Sequence, residues 1–240
     1  VIQYARAARL KTIEWHGLNH VVHGDVKAAR RIGEATVEAG LGVAAYGSYY
    51  VLGESERRGL SFSDVLLSAK ALGARMVRVW AGNRSPDEAS TRFREQISDE
   101  ARRIADLAAE AGIQLVFEFH QGSLTQTGES CAALMEAVDH CNARAYWQPA
   151  PELDVNQNLD QLRCVLPWLV GLHVFHWKPT DLDRHPLAQG ELEWARYLDF
   201  AGQHHDSLDV LLEFVKGDSV EQFHKDAATL HRLLAHRTIV

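Results

Sequence analysis

The chain has 240 residues, 46% hydrophobic and 24% charged, with a formal net charge of −7. That balance suits a folded domain with a sizeable core, and a single α/β barrel uses about 250 residues. The acidic charge and the lack of a Lys/Arg run argue against a protein that grips nucleic-acid phosphates, and no apolar run nears the ~20 residues needed to span a bilayer.

The opening stretch VIQYARAARL reads as a helix with no strand before it, and it lacks both an initiator Met and the apolar core of a signal peptide. Seven short apolar runs then read as strands: TIEW (12–15), GVAAYG (42–47), MVRVW (76–80), QLVFEFH (114–120), ARAYWQ (143–148), GLHVFHW (171–177) and DVLLEFV (209–215). They recur at roughly thirty-residue intervals, the size of one βα unit. Helical patterns lie between them, as at 24–40 and 85–112, and the endings EAG and ALG place Gly at a helix terminus. The last element (218–236) is a closing helix with Asp218 or Ser219 as N-cap. Alternation of this kind predicts a parallel sheet with right-handed crossovers. With no GxGxxG turn to suggest an open dinucleotide-binding sheet, a single (β/α)8 TIM barrel over residues 1–240 is expected, its first strand absent from this chain. The three cysteines, Cys131, Cys141 and Cys164, form no CxxC pair, which fits a reducing, cytoplasmic setting.

Barrels place chemistry where strands run into βα loops. Those ends carry Glu14, Trp15 and His16 with His20; Tyr46, Ser48 and Tyr49; Arg78 and Trp80; Glu118 and His120; Gln148; His173 and His176; and Glu213 and Lys216. Glu118 (in LVFEFH) and Glu213 (in LLEFV) are charges among apolar neighbours, costly unless paired or bound to a metal. The bland alternative for Glu118 is an ion pair with Arg78 or Arg144. His173 alone would be an ordinary hydrogen-bonded core histidine, and only its place between the glutamate-bearing strands makes it a ligand candidate. Alternation puts His176 on the other face unless the strand ends first. Gln148 is open to two readings, a site amide or a strand-end hydrogen bond before Pro149.

The segments IEWHGLNHVVHGD, VAAYGSYYVLG, VFEFHQGSLTQTGES, YWQP, LHVFHW with RHPLAQGE, and LLEFVKGDS resemble sugar phosphate isomerase/epimerase-like proteins of the xylose isomerase-like TIM-barrel superfamily over nearly the whole length. The resemblance implies a divalent metal (Mn, Zn or Mg) held by Glu118, His173 and Glu213. Gln148 falls where relatives carry Asp, which removes a negative charge and lowers the expected metal affinity. It also implies that Glu118 and Glu213 act as catalytic acid and base on a keto-sugar or related polyol, through an enediolate. Lys178, Lys216 or Arg184 would stabilise the oxyanion, and Trp15, Tyr46, Trp80 and Trp177 would wall the sugar. Glu14, His20, Arg78, His120 and His176 complete the expected substrate-binding set. The implied partner is a small carbohydrate, with no nucleic acid and no membrane, and a homodimer is a state the family allows. Two other readings stand beside this one. A non-catalytic, metal-free sugar-binding member would explain Gln148. An endonuclease IV-like enzyme needs a three-zinc ligand set, yet of the 13 histidines His140, His185, His204, His205, His224, His231 and His236 fall mostly on helices or loops.

Overall fold

The computed structural model describes residues 1–235. Its elements run α1 (Ile2–Ala7), β1 (Thr12–His16), α2 (Val26–Glu38), β2 (Gly42–Val51), α3 (Phe62–Leu72), β3 (Met76–Trp80), α4 (Thr91–Glu110), β4 (Gln114–Phe117), α5 (Gly128–Val138), β5 (Ala143–Trp147), α6 (Val155–Val165), β6 (Leu169–Val174), β7 (His176–Trp177), β8 (Arg184–His185), α7 (Glu191–Gly202), β9 (Asp209–Leu212) and α8 (Val220–Leu234). Seven strands form one parallel sheet in the order β1-β2-β3-β4-β5-β6-β9, while β7 and β8 pair as a small antiparallel ribbon. The sheet curls into a nearly closed barrel with helices outside. Its end strands β1 and β9 do not pair, and a groove of about 940 Å³ lies between them, lined among others by Tyr4, Ile13, Val210 and Phe223.

Local chemistry explains the alternation. Asp25, Ser61, Ser90, Thr127, Asp154 and Ser219 each cap a helix by accepting a backbone N–H, and Asp154 forms a full capping box with Gln157. Helix α4 therefore begins at Thr91, behind its Ser90 cap, rather than at 85. His236, expected at the end of the closing helix, lies outside the described residues. Gly40, Gly73 and Gly112 follow helices with φ of 79°, 76° and 69°, a conformation that ends a helix at little cost only for Gly.

The main core fills the layer between sheet and helices. A smaller cluster of Ala45, Met76, Val116 and Tyr146, with Val170 and Leu211 against it, plugs the barrel interior. Tyr146 fits there because Gly171 faces it: a Cβ on Gly171 would lie 2.7 Å from the ring. Above this plug, at the carboxyl ends of the strands, the interior turns polar.

Candidate active site

Strand register decides what faces the axis. Glu14 on β1 is inward, so its neighbour Trp15 points out, where its indole N–H donates to Thr36 Oγ1 of α2 at 3.2 Å. Tyr46 pairs in register with Trp15 and shares its direction, its hydroxyl donating to Val21 O at 2.7 Å. Neither of these aromatics, expected as sugar walls, is brought to the barrel mouth; both are fully packed between sheet and helices.

Converging on the axis are Glu14, Arg78, Glu118, Gln148, His173 and Glu213. Glu118 and Glu213 each follow the last residue of their strand, yet their N–H groups extend the ladder, to Val79 O at 3.0 Å and Val174 O at 2.9 Å. Arg78 is 4% exposed and its guanidinium bridges two carboxylates, Glu14 Oε1 at 2.7 Å and Glu118 Oε2. Trp80 Nε1–H donates to the same Glu118 oxygen. The ion-pair alternative for Glu118 thus holds with Arg78, while Arg144 turns to the carbonyl of Ala143. Gly47 makes the pair possible: a Cβ there would sit 2.7 Å from both Arg78 Nη2 and Glu14 Oε1.

His173 stands at the centre. Its Nδ1 lies 3.0 Å from Gln148 Oε1, 3.4 Å from Glu213 Oε2 and 3.5 Å from Glu118 Oε1, and its Nε2 lies 3.9 Å from Glu14 Oε2. Tyr146 supports the imidazole edge-on from below, with centroids 5.1 Å apart. Burial opposes a charge on His173, but Glu213 and Glu14 outweigh it and raise its pKa to about 9. Burial would likewise raise the Glu14 carboxyl, yet Arg78 and His173 hold it down to about 2. Glu213 also titrates below its usual range: burial opposes the shift, and His173 and Arg78 produce it.

One ligand atom each from Glu118, His173 and Glu213 lie within 4.8 Å of one another, a spacing that a single divalent ion can bridge. With Arg78 and Trp80 on Glu118 Oε2, the other oxygen, Oε1, is the one turned to His173. The donor set, two carboxylates and an imidazole with an amide oxygen beside it, fits Mn²⁺ or Zn²⁺ better than it fits Mg²⁺. Glu14 Oε2 is buried and has no hydrogen-bond partner among the described residues.

Rings surround this centre. On one side His16 stacks on Tyr49 (4.2 Å between centroids), Tyr49 meets Trp80 edge-on (5.4 Å) and Trp80 stacks on His120 (4.2 Å). On the other, Trp177 packs on Phe175 and against Phe214, and Arg184 lies over Phe214 at 4.8 Å and Trp177 at 5.7 Å while pairing with Asp218. His20 is exposed, edge-on to Trp15. β6 ends at Val174, so His176 leaves the barrel strand and joins the β7–β8 ribbon, its ring packed on Gly190 where a side chain would collide. Lys178 pairs with Glu193 at 2.9 Å and Lys216 is exposed, so of the three oxyanion candidates Arg184 is the one set among the rings at the mouth.

Tyr49 and Gly47 are the residues whose importance sequence reasoning passed over. β2 gains two residues between Gly47, opposite Arg78, and Tyr50, opposite Val79. This bulge, pinned by Ser48 Oγ donating to Arg78 O, swings Tyr49 over the Arg78 guanidinium at 5.1 Å with φ of 55°. Bulges re-aim side chains beside functional sites, and a left-handed Tyr is a strained conformation. The run AAYGSYY, with Gly before two polar-ended residues, was the available signal.

A parallel barrel with a buried carboxylate–imidazole cluster at the carboxyl ends of its strands belongs to a recognisable class of small-molecule sites. The family model of xylose isomerase-like TIM barrels matches residues 2–233, and the chain belongs to that family. Among curated protein sequences none matches it. Similar solved structures include the probable 3-DHS dehydratase AsbF involved in petrobactin synthesis from Bacillus anthracis (TM-score 0.78, 16% identity, 95% of this chain and 91% of that one). The IOLI protein with a bound zinc atom is also similar (TM-score 0.76, 14% identity, 98% and 92%). So is an L-ribulose 3-epimerase (TM-score 0.72, 18% identity, 98% and 87%). No helix among the described residues is long and apolar enough to cross a membrane.

Proposed function

We propose that this chain is a divalent-metal-dependent isomerase or epimerase of a keto-sugar or related polyol, working by glutamate-mediated proton transfer. The observation that carries the reading is the convergence of Glu118, His173 and Glu213, with donor atoms within 4.8 Å, at the carboxyl end of the barrel. The L-ribulose 3-epimerase and zinc-containing IOLI structures support it by analogy of fold.

A divalent cation held by Glu118, His173, Glu213 and the Gln148 amide would polarise a substrate carbonyl and offset enediolate charge. Glu213, whose carboxyl is kept ionised beside His173, removes the proton next to the carbonyl. Glu118, protonated from solvent before the step, returns that proton on the opposite face, and Arg78 and Trp80 fix its carboxyl group against rotation. Trp80 and Trp177 border the sugar, and Arg184 supplies positive charge at the rim. Three free thiols suit a reducing, cytoplasmic setting. In D₂O, wild type loaded with Mn²⁺ should wash deuterium into a keto-sugar such as L-ribulose or D-fructose, and Glu213→Gln should abolish that exchange. Full exchange in the variant removes Glu213 from the mechanism.

One observation favours a second reading, a metal-free sugar-binding barrel. Gln148 Oε1 lies 3.0 Å from His173 Nδ1, and Arg78 bridges Glu14 and Glu118, so the protein's own groups engage most of the cluster without an ion, Glu14 Oε2 excepted. Titration with Mn²⁺ and Zn²⁺ separates the two: the enzyme reading requires about one ion per chain, lost in Glu118→Gln.

A further inference from the structure

A small cavity of about 190 Å³ lies among the loops that follow β2, β3 and β4, beside the proposed active site. Trp80 and His120 line it together with Glu54, Arg58, Asn83 and Gln121, and none of Glu118, Gln148, His173 or Glu213 does. Trp80 belongs to both places: its indole N–H donates to Glu118, while its ring, stacked on His120, forms a wall of the cavity.

Size and chemistry restrict the occupant. The volume equals that of about six waters and falls below the ~300 Å³ of an ordinary ligand pocket, which is room for one small ring and little more. A stacked indole and imidazole offer a flat apolar face, as the C–H face of a sugar requires. Asn83 and Gln121 offer both donors and acceptors. Glu54 lies between two arginines, 2.7 Å from Arg57 and 3.6 Å from Arg58, so the rim offers an acceptor and donors together, as hydroxyl groups require. A bare aromatic group would leave the polar rim unmatched. The walls are also held in place: Gly82 N–H and Leu52 N–H both donate to Trp80 O, and Arg57 Nε donates to Gly53 O while pairing with Glu54.

We propose that this cavity is a subsite for a second, non-reacting sugar ring. The physiological substrate is then a glycosylated keto-sugar of disaccharide size, whose reacting ring lies over Glu118 and Glu213 and whose other ring stacks beyond Trp80. The substrate assignment rests on the isomerase reading; the subsite does not.

Two measurements keep those apart. The first compares solvent deuterium exchange into a keto-monosaccharide with exchange into its glucosyl derivatives, using α- and β-linked forms. Wild type should favour one of the disaccharides by about tenfold in kcat/KM. Asn83→Trp, which fills the cavity from an exposed position, and Arg58→Ala should each reduce that ratio toward one. A ratio near one in wild type, or one that survives Asn83→Trp, overturns the proposal. The second follows tryptophan fluorescence during titration with cellobiose, maltose and glucose, and needs no turnover. Should no sugar exchange at all, the isomerase reading fails and this binding decides the subsite. A disaccharide preference lost in Asn83→Trp upholds it, and equal binding of glucose and both disaccharides refutes it.

Discussion

The two glutamates of the proposed reaction sit in unlike halves of the barrel. Glu118 is 3% exposed, and one of its oxygens is held by both Arg78 and Trp80. It belongs to the β1–β4 half, where Gly47, the β2 bulge and the row of stacked rings brace one another. The Glu213 side chain is 19% exposed, has His173 alone within ion-pair distance among the described residues, and sits between the sheet's edge strand β9 and Phe214, whose φ is 32°. The difference teaches that one carboxylate is built into the fold while the other is placed by it. A group that must swing to take up a proton gains from the looser setting, and one that must present a fixed face gains from the bracing.

The largest test of this contrast is Arg78→Met. It leaves Glu14 and Glu118 buried without their cation and should cost about 3–5 kcal/mol of stability in urea denaturation. A loss no greater than that caused by Glu213→Gln would erase the distinction between the halves.

Next comes pH, measured on protein stripped of metal with a chelator. The folded-state pKa of His173 is raised from 6.5 to about 9, so its contribution is fully present below pH 6.5 and is lost as pH rises through about 9. Up to about 3 kcal/mol should disappear across that window, and His173→Gln should flatten the profile. The depressed pKa of Glu14 acts at the other end: its contribution is present above about pH 4.5 and fades as pH falls toward 2.

Gly47→Ala should cost about 1–3 kcal/mol, because the new methyl must displace the Glu14–Arg78 pair by direct contact. Its melting temperature, set beside that of Gly217→Ala, distinguishes crowding from backbone strain. Gly217 has φ of 67° and open space around it, so only strain acts there. An effect of similar size is expected from Trp80→Phe, which keeps a ring and removes one donor to a charged carboxylate, for a loss of about 1.5–3 kcal/mol. A null result would mean that Arg78 alone braces Glu118.

The repeating βα architecture was legible because its signals are local: apolar runs of strand length, capping side chains such as Ser61 and Asp154, and glycines such as Gly73 after helices. Glu118, His173 and Glu213 were legible for a related reason, since a polar group inside an apolar strand is expensive enough to stand out. Strand alternation also held part of the Trp15 answer. Glu14 and Trp15 are consecutive, so they could not both face the axis, and the same argument that set His176 apart from His173 applied to them.

What no local signal carried was which face is inside and who meets whom there. Arg78 and Arg144 were equal candidates for Glu118, and register does not separate them, since both stand opposite Val116; the folded side chains do, Arg78 reaching the carboxylate and Arg144 a backbone carbonyl. The two-residue bulge that carries Tyr49 over Arg78, and the Gly47 gap that admits the ion pair, exist only through contacts between strands 30 residues apart in sequence. Composition and spacing determine that this chain folds as alternating strands and helices with costly polar groups at the strand ends. Closure of the sheet decides which of them share a buried centre, because proximity across a barrel depends on pairing register and curvature rather than on sequence separation.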